Sequence, residues 1–80
     1  MVQIKKIWFS DNKIFAEYID GRVIGVPVSW YPNLSKGSSE QWQDYEIWAD
    51  GQYIHWPSLD EDISAEGLLS LSQTGLLQKT

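Results

Sequence analysis

The sequence predicts a small α+β fold, a β(3)-α-β(2) order of strands with one short helix after strand three and a short C-terminal helix. Three observations carry this expectation. Short runs rich in β-branched and aromatic residues alternate with turn residues over 1–28 and again over 45–56. Between these blocks, Ser38 and Gln41 have the spacing of a capping box. Finally, 80 residues without cysteine make one core with no disulfide or thiolate staple, and five Trp, four Tyr and two Phe must supply the burial.

The elements follow in order. Val2 to Phe9 is the first strand, and Ser10-Asp11-Asn12 is a polar turn. Lys13 to Ile19 sets Ile14, Ala16 and Tyr18 on one face and Phe15, Glu17 and Ile19 on the other. Asp20-Gly21 is read as a type I′ hairpin turn, in which both residues take positive φ. Arg22 to Val28 follows, with Ile24, Val26 and Val28 on one face and with Gly25 and Pro27 marking an edge or a bulge. Trp30-Tyr31-Pro32 ends the sheet run, and Asn33 to Ser39 reads as a loop leading to the capped helix.

The segment from Tyr45 to Trp56 has a two-residue period that favours a hairpin turned at Asp50-Gly51 over a longer helix. Glu46, Trp48, Tyr53 and His55 then alternate with Ile47, Ala49, Ile54 and Trp56. Pro57 stops the last strand, and Ser64 is the expected N-cap of a helix over 65–71, with Ile63 and Leu68 at hydrophobic-staple positions. One domain over 1–71 and a frayed tail over 72–80, with a Leu76-Leu77 pair, complete the reading.

Charge narrows the partners. Six basic residues face 11 acidic ones, a formal net charge of −5 that opposes the counterion-release term behind most nucleic-acid binding. The imbalance is local, because five of the six basic residues fall within 1–36 and eight of the 11 acidic ones within 37–80. An acidic second half suits a basic protein partner. The N-terminus does not read as a signal peptide, no apolar run reaches the roughly 20 residues of a membrane span, and the absence of cysteine makes the cytoplasm the expected compartment.

No catalytic motif is found, and no catalytic residue, metal or cofactor is assigned. His55 is the single histidine, and one imidazole with a nearby carboxylate cannot close a zinc site of the usual kind. It reads as a strand histidine beside Trp56 that makes one or two hydrogen bonds. Asp60, Glu61 and Asp62 lack the spaced acids, glycine and distal glutamate of an EF-hand, and they read as carboxylates placed before a helix N-terminus. The aromatics exceed what so small a core hides, and partly exposed Trp and Tyr are typical interface anchors. Trp30, Tyr31 and Trp56 are the expected anchors, with Asp60, Glu61 and Asp62 as the steering rim.

Asp20-Gly21, Trp30-Tyr31-Pro32 and above all the run Ile54-His55-Trp56-Pro57-Ser58-Leu59-Asp60-Glu61-Asp62-Ile63-Ser64 resemble the small bacterial family called domain of unknown function 2442. The resemblance covers about residues 3–70. It implies a two-layer α+β fold of the β(3)-α-β(2) kind, in agreement with the strand order above, and no activity. It also implies a setting, since genes of this family often lie beside those of domain of unknown function 4160 in an arrangement like a toxin–antitoxin pair. Some longer relatives carry a helix-turn-helix domain, and the resemblance does not extend operator binding to this chain. The expected function is an antitoxin-like, acidic interaction module without enzymatic activity. The alternatives are a small-ligand or divalent-metal binder using Tyr31, His55 and Asp60 to Asp62 in a shallow cleft, or a homodimeric structural protein.

Overall fold

The computed structural model describes residues 2–70 and contains two three-stranded antiparallel sheets. The first comprises β1 (Ile4–Ser10), β2 (Lys13–Tyr18) and β3 (Val23–Pro27), paired in that order. A 3-10 turn over Val28–Trp30 leads to two one-turn helices, α1 (Pro32–Ser35) and α2 (Ser39–Gln43). The second sheet comprises β4 (Glu46–Trp48), β5 (Tyr53–Trp56) and β6 (Glu61–Ser64), with β5 central. A further helix, α3, covers residues 65–70.

The α+β class and both hairpins are as expected, and four details differ. The second sheet has three strands, because Glu61–Ser64 pairs with Tyr53–Trp56 where a polar lead into a helix was expected. Part of the expected loop over 33–39 is helix α1, which Pro32 opens in the first turn, where its missing N–H costs nothing. The type I′ signature lies at Asp11 and Asn12, with φ of 52° and 59°, which join the Ser10↔Lys13 pair. At the second turn only Gly21 has positive φ, at 97°, and its N–H donates to the Tyr18 carbonyl while the Tyr18 N–H donates to that of Arg22. This is a three-residue loop with a glycine bulge.

The predicted caps form. Ser38 Oγ accepts from the Gln41 N–H and Gln41 Oε1 accepts from the Ser38 N–H. Ser64 Oγ accepts from the Gly67 N–H at 2.8 Å, which caps α3. The expected frayed tail over 72–80, with Leu76 and Leu77, lies outside the described residues.

One hydrophobic cluster joins the two sheets. Ile4, Ile7, Ile14, Ala16, Tyr18 and Val26 from the first meet Ile54, Trp56 and Ile63 from the second, closed by Val28, Leu34, Ala65 and Leu68. Polar atoms inside are paired: the Trp42 indole donates to the Leu34 carbonyl at 2.7 Å, and the Trp56 indole donates to the Trp42 carbonyl at 3.0 Å. Gly51 closes the sheets against each other. It has φ of 92°, and a Cβ there would stand 2.5 Å from the Ile4 carbonyl oxygen.

Candidate functional site

The exposed face of the second sheet is built by strand alternation. On β5, Ile54 and Trp56 enter the core, so Tyr53 and His55 point the other way. Register then sets Glu46 and Asp62 on either side of His55, and Trp48 and Ser64 on either side of Tyr53. The Trp48 indole stacks on the His55 ring with centroids 4.4 Å apart, and its N–H donates to Glu46 Oε1 at 3.0 Å. His55 Nδ1 pairs with Asp62 Oδ1. The imidazole is thus fixed by a carboxylate at its edge and an indole on its face, as a positioned part of the surface.

Around this pair lies an apolar platform. On it Trp48 is 49% exposed and Tyr53 48%, whereas Ile47, 38% exposed, faces the opposite side of the sheet with its partner Ile54. The rim of the platform is acidic, and no Lys or Arg occurs between Lys36 and Lys79. Among the described residues, His55 pairs with Asp62 and stacks on Trp48, and a hydroxyl nucleophile is not among these partners.

The structure disperses the expected anchors. Trp56 is fully buried and cannot anchor a partner, because its strand position faces the core and its indole N–H is used inside. Trp30 is 41% exposed, whereas Tyr31 is half-buried against the core. The acidic triplet is divided by the strand it helps to form. Asp60 has positive φ in the turn, and its carbonyl accepts from Asn33 Nδ2 at 3.3 Å. Glu61 points to the Ile63 side and lies in the field of Tyr31, and Asp62 alone reaches the outer face.

Burial, and then the Asp62 and Asp60 charges, push the Glu61 carboxyl above its usual range. Burial first, with Glu61 second, pushes the Tyr31 phenol up to about 12. The cleft expected around Tyr31, His55 and the acids therefore does not form, because alternation puts Glu61 and His55 on opposite sides of the sheet.

The other residues of the resemblance have structural roles. Asp20 accepts from the Arg22 N–H and guanidinium, which holds its carboxyl below the usual range. Gly21 and Pro32 form the turn and the helix start given above, Leu59 packs on the core, and Pro57 follows β5. The residues missed as a site are Glu46, Ile47, Trp48 and Tyr53. Their period-two pattern is readable in the sequence, whereas the place of β4 at the edge of its sheet is not.

A separate open cleft of about 430 Å³ lies beside the Asp11-Asn12 turn, with Lys13, Ser29, Ser35 and Trp42 in its lining. Among the described residues no group of three or more His, Cys, Asp or Glu is placed to hold a metal. No helix among them is long and apolar enough to cross a membrane.

Two antiparallel three-stranded sheets closed over one core, with short helices between and after them, define a small α+β domain class. Within that class, the chain belongs to the family described as "Protein of unknown function (DUF2442)", which matches residues 4–74. A protein of unknown function from Rhodospirillum rubrum has a similar structure, with a TM-score of 0.76 and 24% identity over 88% of this chain and 87% of that one. An uncharacterised Chromobacterium violaceum protein gives 0.71 and 20% over 85% of this chain and 64% of that one. At these identities the likeness is one of fold. No curated protein matches the chain.

Proposed function

We propose that this protein is an acidic interaction module that binds a basic protein partner, as the neutralising member of a toxin–antitoxin-type pair does. The observation that carries the reading is the exposed Trp48 and Tyr53 platform within a stretch, 37–78, that has eight carboxylates and no Lys or Arg. Aromatic anchors inside a polar rim are the usual anatomy of a protein interface, and the rim steers an oppositely charged partner. The partner is met in the cytoplasm, the compartment a cysteine-free chain suits, and no chemistry is asked of the module.

The test is capture of partners from bacterial lysate by the tagged protein at low and high salt, run beside Trp48→Ala/Tyr53→Ala and Trp30→Ala. A basic protein held at low salt, released at high salt and lost by the double variant alone supports the reading. Equal retention by the double variant places the interface elsewhere and overturns it.

A second reading has one observation in its favour, the cleft beside the Asp11-Asn12 turn, whose size and mixed lining suit a small polar ligand. A ligand at 100 times its dissociation constant stabilises the fold by about 2.7 kcal/mol. A metabolite and divalent-ion screen without a melting shift removes this reading.

A further inference from the structure

The two sheets have four edge strands, and three carry devices that discourage pairing with another chain. β1 carries Lys5 and Lys6 and a register shift between Ile4 and Lys6. β3 ends in Pro27, which has no N–H to offer. β6 opens with two successive carboxylates, Glu61 and Asp62.

The fourth edge, β4, has neither lysine, proline nor register shift. Its three residues are exposed, and two of them are Ile47 and Trp48. Among the described residues, its backbone pairing is to β5 alone. Such an edge is a template for an added strand.

Charge selects what fills it. Asp44 precedes β4, Glu46 lies on it, Asp50 follows it, and Asp62 shares its outer face across β5. Two copies paired edge to edge at β4 would bring the Asp44, Glu46 and Asp50 carboxylates of both chains together, and like charges brought together destabilise a strand pair.

Resting on the interaction reading above, we infer that the basic partner docks by adding an extended segment to β4, in which Lys or Arg alternates with apolar residues. The alternation follows from β4 itself. A strand laid beside it sets one row of side chains on the outer face, near Glu46 and Asp62, and the other row beside Ile47. On the outer face an arginine also finds the exposed Trp48 indole.

The test titrates the isotope-labelled full chain with a capped hexapeptide of alternating Lys and Val. Two N-methylated versions, one methylated at every Lys and one at every Val, are run beside it. An added strand presents only one of these N–H rows to β4, so one methylated peptide binds like the parent and the other is weaker by about tenfold or more. Amide shifts concentrate along β4, and the outward-facing N–H of Ile47, which lies between the Glu46 and Trp48 amides turned toward β5, exchanges freely before the peptide is added and becomes protected after. Glu46→Lys weakens the parent peptide about tenfold at low salt.

Equal binding of all three peptides leaves the acidic face as an interaction surface and sinks strand addition. Absence of shifts at β4 sinks it as well. Protection of the Ile47 amide in the free chain shows the edge already covered, by residues 71–80 if sedimentation finds a monomer or by a second copy if it finds a dimer, and either result overturns the inference.

Discussion

The Tyr18 hydroxyl donates to the Ala65 carbonyl at 2.9 Å and so links the first sheet to the start of α3. Its ring is buried, and burial pushes the phenol up to about 12, opposed by Arg22 and reinforced by Asp20. Tyr31 is shifted the same way. A raised folded-state value means that the native state holds protons the unfolded chain has released. Stability is therefore full below pH 10 and declines as pH rises from 10 through about 12. Tyr18→Phe is expected to cost about 0.5–1.5 kcal/mol near neutrality, since it removes a buried hydrogen bond to a carbonyl that the first turn of α3 also engages, and to flatten that alkaline decline. Urea unfolding at stepped pH measures both. Glu61 obeys the same sign: its raised value makes the charged form a burden, present at neutral pH and relieved as pH falls through the carboxylate range. Glu61→Gln should accordingly raise Tm at neutral pH, and the gain should vanish on acidification. A neutral-pH Tm below that of the parent chain would contradict this account.

Among the elements, turns decided most of what was readable. The caps at Ser38 and Ser64 and the hairpin at Asp50-Gly51 depend on residues adjacent in sequence, and each forms where the pattern put it. Asp20-Gly21 has the right residues for a type I′ turn but closes a three-residue loop, because Tyr18 and Arg22, not Ile19 and Arg22, make the flanking pair. β6 was hidden for a different reason. Three successive acids look like a solvated turn, and only pairing with β5 makes Glu61–Ser64 a strand. Gly51→Ala tests the turn that joins the sheets. A side chain there meets the Ile4 backbone and a left-handed conformation together, so a loss of more than about 1 kcal/mol is expected, read by thermal melting.

For the whole molecule, Trp48 and Trp56 form a matched contrast, since both lie in the second sheet and only Trp56 is buried. Trp56→Ala removes the largest side chain of the core and should cost about 3–5 kcal/mol, much of the net stability of a domain this small. Trp48→Ala should leave the unfolding midpoint nearly unchanged while abolishing partner capture. Circular dichroism with the capture assay separates the two, and strong destabilisation by Trp48→Ala would return that residue to the core. By itself the sequence determined the fold class, five of the six strands, the caps, the charge division and the family, because each rests on local periodicity, neighbouring residues or a contiguous motif. Only the tertiary structure decided which tryptophan faces water, how Asp60, Glu61 and Asp62 separate, and that β4 lies at an edge of its sheet. Those outcomes depend on which strand lies beside which, and a sheet's neighbours come from positions distant in the chain.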